Sequence, residues 1–150
     1  MTEPKVFTPS HPPTHKEANH LIDFLHDHLD QYGDPQEHIK ACLDYALQRS
    51  DSPGGFAITI SDENGLVGAT IVNATGMKGY IPEFILVYIA THRRVRGKGV
   101  GKQLLQAALE RADGDVALHV EPDNPARFLY EKAGFQSKYL EMRLKRQNAH

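Results

Sequence analysis

The sequence predicts an α/β fold with a mixed sheet and flanking helices. Two N-terminal segments, 15–32 and 35–49, carry apolar residues at the three- and four-residue spacing of amphipathic helices. Further on, an apolar segment at 83–91, a helical pattern at 99–112 and an apolar segment at 116–121 follow one another. A strand–helix–strand unit of this kind places its two strands parallel in one sheet.

The N-terminal helices are supported by their apolar positions, which fall on one side of each helix. These positions are Leu21, Ile22, Leu25 and Leu29 in the first helix and Ile39, Cys42, Leu43 and Leu47 in the second. The proline-rich segment TPSHPPT precedes them at 8–14, and residues 1–14 are expected to be a flexible lead-in. With 150 residues and no internal boundary, the chain 1–150 is predicted to be a single domain.

Antiparallel pairing is predicted between the segments FAITI at 56–60 and LVGATIV at 66–72. Glu63-Asn64-Gly65 between them is a hairpin signal. The next strand, EFILVYIAT at 83–91, has a continuous apolar run that is typical of a strand buried on both faces. The sheet is therefore expected to be mixed, with this strand near its middle.

The C-terminal segment is predicted to contain one more helix and one more strand. Asn124 and Pro125 suit the start of a helix, and Gly134 suits the position just after its end. The period-two pattern YLEMRL at 139–144 predicts a last strand.

Composition limits the classes of function. Seventeen basic and nineteen acidic residues give a net charge of −2, which disfavours bulk binding to nucleic acid or to an anionic membrane. Cys42 is the only cysteine, so no internal disulfide can form, and no signal-peptide pattern is visible in the first twenty residues. We expect a cytoplasmic protein. Nine scattered histidines predict no metal site.

A glycine-rich segment, RGKGVGK at 96–102, stands between the buried strand and the following helix. It does not match the Walker pattern G-x-x-x-x-G-K-[ST], because Arg96 stands in place of the first glycine and Gln103 in place of Ser or Thr. It does not match the dinucleotide pattern G-x-G-x-x-G either, because Lys102 stands in place of the third glycine. The pattern that remains is Arg96-x-x-Gly99-x-Gly101.

This segment has the features of an anion site. The first amides of a helix lack internal partners, the helix dipole adds partial positive charge, and glycine lets an anion approach the backbone. No acidic residue lies between His92 and Leu109, whereas five basic residues do: Arg93, Arg94, Arg96, Lys98 and Lys102. The alternative is a glycine-rich turn with a solvated basic rim.

Two segments together resemble the GNAT superfamily of N-acetyltransferases. Arg96-x-x-Gly99-x-Gly101 is similar to that family's acetyl-CoA motif, Q/R-x-x-G-x-G/A, and NPARFLYEKAGF at 124–135 is similar to its N-x-x-A-x-x-x-Y-x-x-x-G-F segment. The resemblance covers about residues 15–144. It implies a twisted mixed sheet in which the parallel strands 83–91 and 116–121 splay apart, with acetyl-CoA lying in the gap.

The resemblance also implies which residues hold acetyl-CoA. The pantetheine arm would lie along Ile89, Ala90 and Thr91, and the pyrophosphate would bind the amides of the glycine-rich segment. Asn124 would contact the cofactor besides capping its helix. The full set of predicted cofactor-binding residues is Ile89, Ala90, Thr91, Arg96, Gly97, Lys98, Gly99, Val100, Gly101, Lys102 and Asn124. Arg93 and Arg94 would help to neutralise the phosphates.

Direct acetyl transfer to an amine needs a base, a donor for the developing oxyanion and a proton for the leaving thiolate. Glu83, the carboxylate at the start of the central strand, is the candidate base; the alternative is an exposed acid at a strand end. Tyr130 matches the family's tyrosine and is the candidate acid; the alternative is a half-buried packing residue. Strand amides near 87–89 would supply the oxyanion donor.

The expected function is acetyl transfer from acetyl-CoA to an amine of a small molecule or peptide, by a monomer or homodimer. The acceptor would be bound by residues 15–49, 74–82 and 135–144, as the resemblance implies. Two alternatives stay open: a non-catalytic CoA-binding sensor of the same fold, and a nucleotide- or nucleic-acid-binding module built on residues 92–102. The charge balance and the failed Walker pattern disfavour the module.

Overall fold

A computed structural model describes residues 3–146 of the chain. These residues divide into two compact units, one up to Leu118 and one from His119 onward. The first unit contains a five-stranded sheet in the order β1-β2-β3-β4-β5. Its strands are β1 (Lys5–Phe7), β2 (Gly55–Asp62), β3 (Gly65–Ala74), β4 (Phe84–Thr91) and β5 (Val116–Leu118). The first four strands pair antiparallel, and β4 pairs with β5 in parallel.

Three α-helices belong to the same unit: α1 (His15–His28), α2 (Gln36–Ala46) and α3 (Val100–Arg111). A capping box starts α1, in which the Thr14 hydroxyl accepts from the Glu17 amide and the Glu17 carboxylate accepts from the Thr14 amide. Short 3-10 turns follow α1 at Asp30–Tyr32 and β4 at Arg93–Val95.

Helices cover both faces of the sheet, and β2 and β3 are its most buried strands. The prediction that strand 83–91 is buried on both faces is only partly met, because in β4 Leu86, Tyr88 and Ala90 are buried but Val87 is 38% exposed. Leu21 and Leu25 of α1 and Ile39 and Leu43 of α2 pack in one core cluster with Ile71 of β3. On α3, Val100, Leu104 and Leu105 are also buried. A Cβ atom placed on Gly68 of β3 would lie 3.1 Å from Val100 Cγ1 and 3.4 Å from Leu104 Cδ2, so glycine lets α3 approach the sheet closely.

The N-terminal elements differ from the sequence prediction in two places. Lys5–Phe7, expected in a flexible lead-in, form β1, which pairs with residues 57–59 of β2. The predicted helix 15–32 ends at His28 because Asp30 has a left-handed backbone, with φ 55°, that interrupts the helix. The second predicted helix, 35–49, is shorter and spans Gln36–Ala46.

The second unit contains one helix, α4 (Ala126–Lys132), at the place predicted from Asn124 and Gly134. The predicted last strand at 139–144 is wrong, because these residues have no regular structure and pair with no strand among the described residues. Their alternating pattern is that of a strand, but a strand exists only where a partner completes its backbone hydrogen bonds. Tyr139, Leu140, Met142 and Leu144 are 76–90% exposed. The single-domain expectation stays a prediction.

Candidate functional site

The parallel pair β4 and β5 is short, which leaves one edge of β4 open. The two strands pair only at Phe84–Val116, Ile85–Ala117 and Leu86–Leu118. The predicted strand 116–121 thus ends at Leu118. Beyond Leu86, no strand pairs with this edge of β4 among the described residues. Ile89, Ala90 and Thr91, predicted to bind the pantetheine arm, lie along this open stretch, and their other edge pairs with β3.

A β-bulge marks the point at which β4 loses its parallel neighbour. Ile71 of β3 pairs with Tyr88 and Val72 pairs with Leu86, so Val87 is an extra residue in β4. The buried hydroxyl of Thr70 donates a 2.7 Å hydrogen bond to the Tyr88 carbonyl oxygen next to the bulge. The bulge falls within 87–89, the stretch expected to provide the oxyanion donor. That role stays a prediction.

The glycine-rich segment forms a turn whose backbone depends on glycine. Gly97 has φ 83° and Gly99 has φ 84°, both in the left-handed region that other residues rarely adopt. A Cβ atom placed on either would meet no atom within 4 Å. The turn is therefore fixed by the backbone conformation of these glycines and not by lack of space, and the surface above it is open.

Most amides of this turn have no partner. Arg96 N donates to Arg93 O and Lys98 N donates to Val95 O, and the first bond into α3 is from Gln103 N to Gly99 O. Within residues 3–146, no acceptor is bonded to the remaining amides of the turn, which are those of Gly97, Gly99, Val100, Gly101 and Lys102. Such unpaired amides at the start of a twelve-residue helix form a site suited to an anion.

The arginines of the basic rim are bound to carboxylates of the protein itself. Arg94 binds Asp62 through both terminal nitrogens, at 2.7 and 3.0 Å. This guanidinium lowers the pKa of Asp62 to about 2. Arg93 and Arg96 both bind Asp30. The prediction that Arg93 and Arg94 help to neutralise phosphates therefore receives no support from their contacts.

Lys98 and Lys102 differ from these arginines. Both are exposed, and neither forms an ion pair with any residue in 3–146. They are the cations of the turn that remain available to an incoming anion.

Glu83, the candidate base, lies one residue before β4 and is bonded through both carboxylate oxygens. Oε1 accepts from the Asp115 amide at 2.7 Å and Oε2 accepts from the Gly79 amide at 2.9 Å. These bonds lower the pKa of Glu83, because they stabilise the ionised carboxylate. The side chain thereby joins the loop before β4 to the start of β5.

In the second unit, Tyr130 of α4 is buried, and its ring meets that of Phe135 edge-on with 6.0 Å between centroids. Burial raises the pKa of Tyr130 to about 12. Its hydroxyl forms no hydrogen bond with the described residues and remains protonated at neutral pH, so it can donate a proton or a hydrogen bond. Asn124 Oδ1 accepts from the amide of Ala126, the first residue of α4, at 2.9 Å, but the N-cap position is Pro125, so the prediction of Asn124 as the N-cap is wrong by one residue.

A polar cluster lies beneath α2. Tyr88 donates a 2.5 Å hydrogen bond to Asp34, and Asn73 Nδ2 lies 3.4 Å from Cys42 Sγ. Burial raises the pKa of Cys42 to about 12, so the thiol is not a nucleophile at neutral pH and serves in packing, as the sequence predicts.

In residues 3–146 no group of three His, Cys, Asp or Glu side chains is arranged to hold a metal ion, and no helix there is long and apolar enough to cross a membrane.

The fold and the open turn before α3 define a class of protein. Residues 20–135 match the family model described as the acetyltransferase (GNAT) family, so the chain belongs to that family, and the resemblance inferred from the two motifs is confirmed. The predicted α/β fold with a mixed sheet is confirmed as well. No curated protein matches the chain significantly.

Solved structures share the fold. Protein PH1933 from Pyrococcus horikoshii OT3 is 24% identical over 98% of this chain and 100% of its own, with a TM-score of 0.66. A ribosomal-protein-alanine N-acetyltransferase from Brucella melitensis biovar Abortus 2308 is 18% identical over 98% and 100%, with a TM-score of 0.61. An aminoglycoside acetyltransferase from an uncultured soil metagenomic sample is 16% identical over 98% and 100%, with a TM-score of 0.66.

Sequence reasoning missed two features of this region. Asp30 was not recognised, because its arginine partners lie 63 and 66 residues away and no local pattern indicates the contact. The bulge at Val87 was also missed, since its signal is a register shift between two strands. The glycine-rich turn, by contrast, lies where the sequence places it, between β4 and α3.

Proposed function

We propose that the protein is an acetyl-CoA-dependent N-acetyltransferase that transfers the acetyl group directly to an amine of a small molecule or peptide. One observation carries the proposal: the row of unpartnered amides in the turn and first residues of α3, which follow a strand whose outer edge has no strand neighbour beyond Leu86 among the described residues. This arrangement supports binding of a diphosphate at the turn and of an extended arm along β4. Membership in the acetyltransferase family supports the same reading.

Acetyl-CoA would be held mainly by backbone groups. The diphosphate would accept hydrogen bonds from the free amides of 97–102, with Lys98 and Lys102 adding charge. The arm would pair with Ile89, Ala90 and Thr91 as an added strand would, since their outer edge lacks a strand neighbour. Arg96 would position the turn through its contacts with Asp30 and the His28 carbonyl. Asn124, which accepts from the Ala126 amide at the start of α4, would in addition contact acetyl-CoA.

In the transfer step, the lone pair of the amine attacks the thioester carbonyl, the carbon–sulfur bond breaks, and the amine loses a proton. Amides near the Val87 bulge would donate to the developing oxyanion. Tyr130 would give its proton to the leaving sulfur, because its raised pKa keeps the hydroxyl protonated until the thiolate forms.

Glu83 is the proposed base, acting through a water molecule, but its contacts favour a different contribution. A carboxylate that accepts two amide hydrogen bonds is a weaker base than a free one, as its lowered pKa indicates. The same contacts hold the loop 75–82 against β4, and this loop is one of the proposed acceptor-binding segments. The two roles predict different kinetics, which a substitution separates.

The acceptor is proposed to be an amine that is cationic in solution. It is attracted to the protein as the cation, and its neutral form attacks the thioester. The exposed residues of α1, α2 and their connection include Asp23, Asp27 and Glu37, a surface that attracts positive charge. Met77 and Tyr80, exposed in the loop before β4, would border the entrance.

A two-step experiment tests the proposal. Acetyl-CoA at a hundred times its Kd should stabilise the protein by about 2.7 kcal/mol, whereas ATP and RNA should leave the melting temperature unchanged. Release of free thiol should then be measured with amino acids, polyamines, aminoglycosides and peptide N-termini. Stabilisation without turnover on any amine would favour the non-catalytic sensor, and stabilisation by RNA alone would contradict both readings.

A further inference from the structure

Asp30 occupies an unusual position between the helical layer and the glycine-rich turn. It follows α1 in a left-handed conformation, with φ 55°, which is uncommon for a residue other than glycine. A conformation of this kind persists where surrounding contacts fix it. In the described chain only Gln48 shares this property among residues other than glycine.

The contacts of Asp30 all lead to the segment that precedes the turn. Oδ1 accepts from Arg93 Nε at 3.1 Å and from Arg93 Nη2 at 2.5 Å, and Oδ2 accepts from Arg96 Nη1 at 3.0 Å. One carboxylate therefore bridges Arg93, the first residue of the 3-10 turn Arg93–Val95, and Arg96, which follows that turn. These bonds lower the pKa of Asp30, so the bridge is ionised at neutral pH.

The two arginines reinforce the bridge through carbonyl groups at the end of α1. Arg93 Nη2 donates to Asp27 O at 2.5 Å, and Arg96 Nη2 donates to His28 O at 2.8 Å. Arg96 Nη2 also donates to Thr91 O at 3.3 Å, at the end of β4. Positive side chains at a helix C-terminus are favoured by the helix dipole. The end of α1, the end of β4 and the start of the turn are thus joined at one carboxylate.

We propose that Asp30 is a positioning residue for the anion-binding turn. By holding Arg93 and Arg96, it fixes the chain on the N-terminal side of Gly97 so that the free amides of 97–102 are aimed at the diphosphate before it binds. The inference rests on the proposed function for its ligand, but the holding of the turn by Asp30 is measurable without any ligand. Preorganised donors bind more tightly because less ordering is needed on binding.

Asp30→Asn is the informative variant. Asparagine has the same shape as aspartate and tolerates the left-handed conformation well, so the backbone conformation of residue 30 should be the same in the variant. It loses the charge and one of the two acceptor oxygens. Asp44→Asn is the matched control for the exchange and CoA-affinity measurements, because Asp44 is also a partly exposed carboxylate in an ion pair, 2.8 Å from Lys40, and contacts no part of the turn.

Two measurements decide the matter. The first is hydrogen exchange in the ligand-free protein at the amides of Val95 and Lys98, which donate to His92 O and Val95 O, respectively. Their exchange rates measure how often these two hydrogen bonds, in the chain leading into the turn, are broken. The second is the Kd of CoA by calorimetry, together with KM and kcat if turnover is found. In Asp30→Asn, exchange at these amides should accelerate while that of Ile71 in the core does not. The Kd and KM should rise about two- to fivefold, the range expected for a partly exposed ion pair, with kcat unchanged.

The outcomes separate the inference from the proposed function. Unchanged exchange and unchanged Kd in Asp30→Asn would overturn the inference, as would equal acceleration in the core, which would show a general loss of stability. If the wild-type protein does not bind CoA, the proposed function fails. The exchange result then still decides whether Asp30 holds the turn.

Discussion

Glu83 accepts a 2.7 Å hydrogen bond from the backbone amide of Asp115, which ties the residue before β4 to the residue before β5. The Phe84 amide returns a bond to the Asp115 carbonyl oxygen at 3.0 Å. The parallel strands are thus closed at one end by a side chain and a backbone bond, and they are unpaired beyond Leu86. A predicted base is therefore also a structural tie between the two strands.

Glu83→Gln distinguishes these roles. Glutamine offers one acceptor oxygen where two amides need a partner, so the melting temperature should fall and KM for the amine should rise. The pKa of Glu83 is lowered in the fold, so its contribution to stability is present above pH 4.5 and is lost as the pH falls through the lowered value. The variant should lack this acid dependence. Glu110→Gln, on the exposed side of α3, is the control. A large loss of kcat at unchanged stability would instead identify Glu83 as the base.

Gly97→Ala and Gly99→Ala should weaken CoA binding. Each substitution places a Cβ on a left-handed residue, which costs about 1–2 kcal/mol in folding free energy or forces the turn to change. Gly65→Ala is a matched control, since Gly65 also has a positive φ, 116°, with no atom within 4 Å of a built Cβ, but lies in the β2–β3 hairpin. Denaturant unfolding and calorimetry should show a similar stability cost in all three variants and a higher Kd only in the first two. Normal CoA binding by both turn variants would contradict the assigned site.

Tyr130→Phe should lower kcat on the order of a hundredfold, the effect typical of losing a proton donor. Because the hydroxyl has no hydrogen-bond partner among the described residues, the melting temperature and the Kd of CoA should stay close to wild type. Tyr139→Phe, which alters a 79% exposed ring, should change none of these quantities. If Tyr130→Phe kept full kcat with a good amine acceptor, the residue would be a packing residue only.

His28 predicts a stability change near neutral pH. Burial lowers its pKa from the ordinary value of 6.5, and the neighbouring His92, Arg93 and Arg96 lower it further, with Asp27 opposing. The unfolded chain therefore binds a proton at a higher pH than the folded chain does, so stability should fall as the pH drops from about 7 through 6.5 toward the lowered value.

His28→Phe should flatten this pH dependence. The ring of His28 lies 4.6 Å from that of Phe24 and 4.2 Å from that of His92, between centroids, and phenylalanine keeps a ring in this place without a titrating group. His20→Phe, at an exposed position of the same helix, is the control. Unfolding free energies of wild type and His28→Phe should be measured from pH 5 to pH 8. The two curves should come together toward pH 8 and separate as the pH falls, because only wild type loses stability through His28. Parallel curves would show that another group is responsible.

Local patterns predicted most of the first unit. The Glu63-Asn64-Gly65 signal placed the β2–β3 hairpin, and the glycine-rich segment 96–102 indicated a turn between a strand and a helix, because both depend on neighbouring residues alone. Contacts between distant residues were not predictable in this way. The Asp30–Arg93 bridge and the β1–β2 pair depend on where the fold brings remote segments.

The same limit explains the error at the C-terminus. The alternation of YLEMRL is a property of the segment, whereas strand formation depends on a partner that supplies hydrogen bonds. The catalytic assignments of Glu83 and Tyr130 stay predictions for a related reason. Residue type and motif position nominate a side chain for acid–base work, but its protonation depends on bonds that only the folded chain shows, such as the two amides bound to Glu83.

The close approach of Val100 to Gly68 has an evolutionary consequence. Even the single methyl group of alanine at position 68 would press on the first turn of α3, since Val100 Cγ1 would lie 3.1 Å away. Val100 also carries one of the unpaired amides that are proposed to bind the diphosphate. A substitution at position 68, in the middle of the sheet, would thus displace the first turn of α3 and with it the proposed diphosphate site. Natural variation at 68 should be tolerated only alongside a smaller side chain at 100.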